Sequence, residues 1–189
     1  MKKLFCLFLL ISLASKAQEN TLLANKKNEF RVDVLSAIVY TKASFSYECF
    51  FGKDFSTGFN VNFSNSKKLN DDFDIGYRNN VPKFEFNPYL RYALSKSKSR
   101  YYFAEFFGSY NGGDFKEIIR LVDENNNGYY TTQKSQYTDF GLGGSLGYKM
   151  YFHNSIALEF IVGFGKNLTN RNKSPDVISR VGLNLGYRF

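Results

Sequence analysis

The sequence predicts an all-β protein whose eight antiparallel strands close into an up-and-down barrel. Segments that alternate apolar and polar residues recur along the chain, and the last of them, 177–189, ends on the aromatic residue Phe189. A period of two is typical of strands that face a different environment on each side. The 189 residues include 21 Phe and 14 Tyr but no Trp, so any aromatic band must be built from Phe and Tyr.

Alternation predicts the strands in order. They are expected at 30–40, 43–51, 55–63, 83–92, 101–110 with an extension through 122, 138–152, 155–164 and 177–189. Connections at 52–54, 95–98 and 153–154 are short, whereas those at 64–82, 123–137 and 165–176 are long, and a brief one is expected around Thr41 and Lys42. Pro88 cannot donate a ladder hydrogen bond, so it predicts either a bulge or a later start of the fourth strand.

The first 17 residues predict a secretory signal peptide. Two lysines precede an apolar run at 4–13, and small residues follow it up to Ala17. The run is shorter than the roughly 20 residues that a membrane helix needs. We expect cleavage after Ala17, a short N-terminal segment at 18–27 and the barrel at 28–189.

Charged residues share one face of each strand, and that face also carries many of the small residues. An unpaired charge buried in a narrow barrel would cost several kcal/mol, so equal numbers of each sign predict a plugging lattice of ion pairs rather than a water column. The six basic and six acidic members expected are Arg31, Lys83, Arg91, Lys149, Arg180, Arg188, Asp33, Glu48, Glu85, Glu105, Asp139 and Glu159.

The opposite face, rich in Phe, Leu and Tyr, is expected to point outward. A soluble lipocalin-like barrel would turn its apolar face inward around a ligand. Eight strands leave an interior only just wide enough for side chains, so these large residues could not all fit inside. A closed barrel also satisfies every backbone group in hydrocarbon. The sequence therefore predicts a transmembrane barrel, located in the outer membrane because a secretory signal precedes it.

Four stretches carry a resemblance to a known family. They are Asn28-Glu-Phe-Arg-Val-Asp-Val-Leu-Ser, Ser46-Tyr-Glu-Cys-Phe-Phe-Gly-Lys-Asp-Phe-Ser-Thr-Gly, Leu142-Gly-Gly-Ser-Leu-Gly-Tyr-Lys and the closing Gly-Tyr-Arg-Phe189. The chain resembles the small outer-membrane β-barrel proteins of Gram-negative bacteria, and more narrowly an uncharacterised family of such barrels. The resemblance implies a barrel fold and an outer-membrane location over the whole mature chain, and no activity. Tyr187 and Phe189 are expected to form an insertion signal for the barrel-assembly machinery.

Candidate chemistry is sparse. Asp123, Asn125 and Asn127 match the first half of a calcium loop, but Lys134 stands where a bidentate Glu is required, which favours a polar hairpin tip. His153 is the one histidine in the sequence, and Cys49 is the one cysteine after the signal peptide. They provide no transition-metal ligand set, and we expect no cofactor.

We therefore expect a non-enzymatic barrel that stabilises the outer membrane or presents its loops at 64–82 and 123–137 to an extracellular ligand. Its partners would be outer-membrane lipid and the assembly machinery. No basic run exceeds two residues, so nucleic acid is not an expected partner. The alternatives are a lipid hydrolase or acyltransferase that uses His153, although that residue falls in a periplasmic turn, and a narrow channel.

Overall fold

The computed structural model describes residues 25–189 apart from 52, 53, 96, 98, 125 and 171. The predicted signal peptide at 1–17 and most of the 18–27 segment lie outside the described residues. Within this part of the chain, no helix has both the length and the apolarity needed to cross a membrane.

Eight antiparallel strands form a closed barrel in which each strand pairs with the next and the last pairs with the first. This confirms the predicted fold class. In chain order the elements are β1 (Asn28–Asp33), α1 (Val34–Tyr40), β2 (Lys42–Phe51), β3 (Phe55–Ser64), α2 (Lys67–Asp74), β4 (Asn80–Ala93), β5 (Arg100–Val122), β6 (Gly128–Phe152), β7 (Ile156–Asn167) and β8 (Val177–Arg188).

The two faces of the wall differ as the alternation predicts. On β7, Glu159 is fully buried, whereas its neighbour Phe160 is 47% exposed on the exterior. The same alternation holds on β8, where Asn184 is buried and Leu185 is exposed. A continuous exterior of Phe, Leu, Tyr and Val suits the acyl chains of a bilayer, because such an apolar surface would be costly in water.

The structure corrects the first predicted strand, because the 30–40 segment is extended only as far as Asp33. Asp33 caps α1: its carboxylate accepts the Ser36 backbone N–H at 3.1 Å and the Ser36 hydroxyl at 2.6 Å. The helix ends at Thr41, which has φ of 50°. The connection predicted to be brief around Thr41 and Lys42 is therefore preceded by a helix, which packs against β2 and β8.

The prediction for Pro88 was also wrong. Strand β4 runs through Pro88 from Asn80, so it does not start later. Phe86 pairs with Tyr110 and Tyr89 pairs with Phe107, so the register with β5 is the same on both sides of the proline. The irregularity lies earlier, between Pro82 and Phe84, where β4 leaves the barrel wall.

The β5–β6 hairpin is much longer than its neighbours. At 23 and 25 residues, these strands are each about 75 to 80 Å long, or roughly 60 Å tall at a 40° tilt, whereas the apolar band is about 25 Å. Residues 128–137, expected in a loop, belong to β6. The hairpin therefore projects beyond the membrane at the outer end, which also carries α1, α2 and the segment 168–176, whereas Asn28 and Phe189 lie at the opposite, inner end.

Candidate functional site: the charged lumen

Seven of the twelve predicted lumen charges meet in one network, together with Glu29, which the sequence analysis missed. The network contains four cations and four carboxylates, so its formal charge is zero. Its members are Arg31, Arg91, Lys149, Arg180, Glu29, Glu48, Glu105 and Glu159. We call this set the charge network.

Two carboxylates lie at its centre, and each contacts three cations. Glu159 lies 2.7 Å from Arg91, 3.0 Å from Lys149 and 3.3 Å from Arg31. Glu48 lies 2.9 Å from Arg91 and 2.8 Å from Lys149, and it also pairs with Arg31. The five side chains are at most 3% exposed, so these charges compensate one another with almost no help from water.

The other two carboxylates extend the network to either side. Glu29 accepts from Arg31 at 2.7 Å, from Lys149 at 2.8 Å and from the Tyr151 hydroxyl at 2.6 Å. Glu105 pairs with Arg91 at 2.6 Å and with Arg180 at 2.5 Å. Charge-assisted hydrogen bonds of this kind are stronger than neutral ones, and several converge on each buried oxygen.

The strand register brings these residues to one level. Lys149 on β6 stands opposite Glu159 on β7, which is a favourable cross-strand pair. Glu29 on β1 stands opposite Glu48 on β2, and two carboxylates in that position would repel. Lys149 and Arg31 both contact this pair, so cations from β6 and from β1 itself cancel the repulsion.

Aromatic rings fill the lumen beside the network, which the charge pattern did not predict. Phe103 and Phe107 share the inward face of β5 with Glu105 and are almost fully buried. The Arg91 guanidinium lies 4.3 Å from the Phe103 ring centre, and that of Arg180 lies 4.7 Å from the Phe107 ring centre. Each contact is a cation–π interaction in a desolvated site.

Glycines on the neighbouring strand make room for these rings. A Cβ atom at Gly147 would collide with Phe103, and one at Gly143 would collide with Phe107. The alternation of large and small residues was visible in the sequence. It did not show which strand would supply the large partners.

Three of the carboxylates are close enough to be considered as metal ligands. Oxygen atoms of Glu29, Glu48 and Glu159 lie within 4.8 Å of one another. Arg31 and Lys149 already contact all three carboxylates. A metal ion would add positive charge to a group that is already neutral, so the residues present fit an ion-pair plug better than a metal centre.

Three predicted members lie nearer the outer end and outside the charge network. Glu85 accepts from Lys42 at 2.9 Å, and Lys83 lies 3.8 Å from Asp114. Asp33 caps α1 and also accepts the Leu183 backbone N–H at 3.2 Å. These carboxylates and amines therefore lie nearer the rim and make contacts separate from the charge network.

Arg188 lies on the inner side of the network. Its guanidinium stacks 3.6 Å from the Phe50 ring centre and donates to the Tyr151 hydroxyl at 3.1 Å. Because Tyr151 in turn donates to Glu29, Arg188 is connected to the network through one hydroxyl group.

Asp139, the last predicted member, clamps the 168–176 segment at the outer end. Just above the exposed apolar residues of β6, its carboxylate accepts the backbone N–H of Thr169 at 2.9 Å and that of Asn170 at 3.0 Å. Hydroxyls of Thr169 and Ser174 donate to the same carboxylate. Burial raises the pKa of Asp139, but the hydrogen bonds from Ser174, Thr169 and Asn170 outweigh it and hold the pKa well below its usual range.

The remaining candidates lie apart from the lumen. Asp123 accepts the Asn127 backbone N–H at 2.7 Å within the β5–β6 tip, and Asn125 lies outside the described residues. His153 is in the β6–β7 turn at the inner end, with φ of 47°. Phe189 exchanges backbone hydrogen bonds with Asn28 at 2.8 and 3.0 Å, which extends the closure between the first and last strands.

Replacing Lys149 with Met should destabilise the barrel by about 3–5 kcal/mol, because the network would retain four carboxylates and only three cations. The measurement is urea unfolding in detergent micelles, followed by the mobility shift of unheated samples on gels. Lys134→Met is the matched control, because Lys134 forms an exposed pair with Asp74 that contributes less than about 1 kcal/mol.

A second substitution separates charge balance from packing. Adding Glu29→Gln to Lys149→Met makes the network neutral again, so the double variant should regain part of the lost stability. If Lys149→Met were as stable as Lys134→Met, the claim that the network is electrostatically balanced would be wrong.

Asp139→Asn should loosen the 168–176 segment. Because the pKa of Asp139 is lowered in the folded protein, its ionised form stabilises the fold above the unfolded pKa, about 3.9, and this contribution is lost as the pH falls through the folded value. Amide hydrogen exchange of Thr169 and Asn170 should therefore be faster in the variant at neutral pH, and the difference should shrink below about pH 4. The exposed Asp176→Asn in the same segment should leave both rates unchanged, and equal effects of the two substitutions would contradict the clamp.

Comparison with known proteins shows the same architecture in solved outer-membrane barrels. No family model matches the sequence, and no curated protein matches it. The structure resembles Neisserial surface protein A (TM-score 0.52, 8% identity, covering 86% of this chain and 95% of that one). It also resembles a major outer membrane protein from Thermus thermophilus (TM-score 0.52, 13% identity, 86% and 99%).

A third similar structure is the N-terminal β-barrel domain of Pseudomonas aeruginosa OprF, with a TM-score of 0.51, 11% identity, and coverage of 87% of this chain and 98% of that one. Identities this low show a shared fold. This chain therefore has the eight-stranded closed barrel of these outer-membrane proteins, and its apolar exterior fits that architecture.

Proposed function

We propose that this chain is a non-enzymatic outer-membrane barrel with a plugged lumen, which stabilises the membrane and presents its outer segments at the surface. The observation that carries the proposal is the neutral charge network. Eight ionised groups from seven of the eight strands close the lumen and are connected by contacts of 3.3 Å or less.

The network supports a closed lumen because its parts are paired and packed. On its outer side lies a small cavity of about 40 Å³, whose lining includes Arg91 and Arg180. On its inner side Tyr101 and Tyr151 are buried with Phe103 in one aromatic cluster. A solute crossing this region would have to separate several buried ion pairs, at several kcal/mol each.

The outer segments form an ordered platform, which supports a surface role. Lys116 on β5 donates to the Phe73 carbonyl of α2, and Lys134 on β6 pairs with Asp74 at 2.8 Å. Both amines also lie over the Phe73 ring, at 4.9 and 5.6 Å from its centre. Helix α2 is thereby held against the long hairpin, and loops on a rigid scaffold often carry binding functions.

Apolar groups are exposed on this platform. Tyr77 is 83% exposed, Ile118 76% and Tyr130 73%, and all three lie beyond the apolar band. These side chains are therefore available for contact with an extracellular ligand.

Planar-bilayer recordings test the plug directly. The refolded chain should leave the current at baseline, because the network fills the lumen. The double variant Glu48→Gly and Arg91→Gly removes one central charge of each sign and should produce measurable conductance, provided that its gel mobility still shifts on heating. Discrete conductance steps from the unsubstituted chain would instead favour the narrow-channel alternative.

Recognition by the assembly machinery is the second part of the proposal, and the exposed end of β8 supports it. The Tyr187 and Phe189 rings stack at 6.4 Å, and each is more than half exposed.

Phe189→Ala should lower the heat-modifiable fraction in cell membranes while leaving refolding into micelles unchanged. Phe30→Ala is the control, because Phe30 faces outward opposite Tyr187. If both variants lost the same share of heat-modifiable protein in cell membranes, the proposed recognition role of Phe189 would be wrong.

A further inference from the structure

The outer half of the barrel wall has a break between β8 and β2. Pairing of β1 with β8 ends at Asp33 opposite Asn184, and pairing of β1 with β2 ends at Val32 opposite Phe45. Above these positions α1, not a strand, lies between the two neighbours in the described part of the chain.

The break falls within the membrane. Strand β1 has six residues, which gives a length of about 20 Å and a height of roughly 15 Å at a 40° tilt, against an apolar band of about 25 Å. Strands therefore close about the inner 15 Å of the wall, and α1 lies between β2 and β8 in roughly the remaining 10 Å. Backbone groups of β8 lose their strand partner there, and the Asp33 carboxylate takes over one of them, the Leu183 N–H.

A cavity with a mixed lining of charged, polar and apolar side chains lies on the inside of this break, and we call it the vestibule. It has a volume of about 380 Å³ at the outer end of the lumen, and Ser36, Lys42, Arg78, Glu85, Asn111 and Asn167 line it. The smaller cavity of about 40 Å³ continues from it toward the charge network. Lys42 pairs with Glu85, whereas Arg78 has no ion-pair partner among the described residues. The vestibule therefore has a cation available for an anionic group.

An apolar cavity lies on the outside of the same break, and we call it the groove. It has a volume of about 690 Å³ and an almost entirely apolar lining that includes Leu35, Leu146, Phe160, Val162 and Leu183. It crosses the exterior of β8, β7 and β6 and extends to Tyr102 of β5 and Leu94, which places it against acyl chains. A volume of this size lies within the range of ligand sites, about 300–1,000 Å³.

The vestibule and the groove meet at α1 and the unpaired edge of β8. Leu35 of α1 lines the groove, and the next residue, Ser36, lines the vestibule. Val181 lines both of these cavities, and Gly182 lines the groove and the inner continuation of the vestibule. A single molecule seated beside α1 would therefore meet a polar, cationic site at one end and an apolar site at the other.

We propose that this break is a lateral binding site for an anionic amphiphile of the outer leaflet. The head group would occupy the vestibule near Arg78 and Lys42, and an acyl chain would leave between α1 and β8 to follow the groove. The inference goes beyond the plugged, surface-presenting barrel, because it assigns a ligand class to the wall above the charge network. It does not require conduction or a protein partner.

The absence of Trp from the sequence allows a clean test in phosphatidylcholine nanodiscs. Phe160→Trp places a single fluorophore in the groove, and Phe86→Trp places one on the lipid-facing side of β4 as the reference. The probe is lysophosphatidylglycerol with a nitroxide on its acyl chain. Quenching of the groove reporter should saturate at low probe content, whereas quenching of the reference should rise in proportion to the probe.

Substitutions and a second probe locate the two ends of the ligand. In the groove-reporter background, Leu35→Asp should weaken saturable quenching by more than about tenfold, because it buries a carboxylate beside an acyl chain. Ile38→Asp is its control, since Ile38 lies on the same helix but is 78% exposed and lines neither cavity. Arg78→Gln should weaken binding of the anionic probe. The second probe is the methyl ester of a fatty acid with the same nitroxide label; because it has no charged head group, its quenching of the groove reporter should not saturate.

Proportional quenching of both reporters would overturn the proposal, because it would show ordinary contact with bulk lipid. Saturation by the methyl ester as well as by the anionic probe would overturn the head-group assignment. The heat-dependent gel shift of each variant verifies folding. If conductance stayed at baseline and no quenching saturated, the lateral binding site would be ruled out but the plugged barrel would still be supported. The two proposals can therefore fail separately.

Discussion

The cost of burying charge in a narrow barrel governs the structure. Eight strands enclose a space that side chains can fill, so an ionised group pointing inward loses water and must find a partner across the lumen. The charge network satisfies this requirement with four groups of each sign. Its members come from every strand except β3, and β3 contributes the Ser56 hydroxyl, which donates to Glu48 at 2.5 Å. The cost of desolvating such groups offsets much of their attraction, whereas removing one partner leaves an uncompensated buried charge and is strongly destabilising.

That requirement also specifies the strand register. A shift of one residue would move Glu159 from the lumen to the exterior and bring Phe160 inward, which exposes a charge to acyl chains and removes one carboxylate partner from each of Arg91 and Lys149. The repulsive Glu29–Glu48 neighbours are tolerated for the same reason, because cations from β1 and β6 reach both of them. The exterior alternation and the interior pairing therefore select the same register independently.

Periodicity predicted the eight strands, the outward apolar face and most of the charge network, because each depends on alternation along one strand. It failed where contacts between strands, or capping of a helix, determine the local structure. Val34–Tyr40 is apolar and β-prone, but the Asp33 carboxylate caps the first turn and favours a helix. The prediction omits Glu29 because it starts the first strand at residue 30, whereas β1 begins at Asn28. The inward position of Phe103 depends on Gly147, which lies on another strand and allows its ring to fit.

The capping of α1 by Asp33 also explains why the inner and outer halves of the barrel wall differ. Asp33 belongs to β1 by position, yet its carboxylate serves both the first turn of α1 and the Leu183 N–H of β8. One side chain thus replaces strand pairing at the point where β1 ends. Below this level the wall is a continuous ladder tied across the lumen by ion pairs. Above it the wall depends on a seven-residue helix, which is too short to be stable without its packing against β2 and β8.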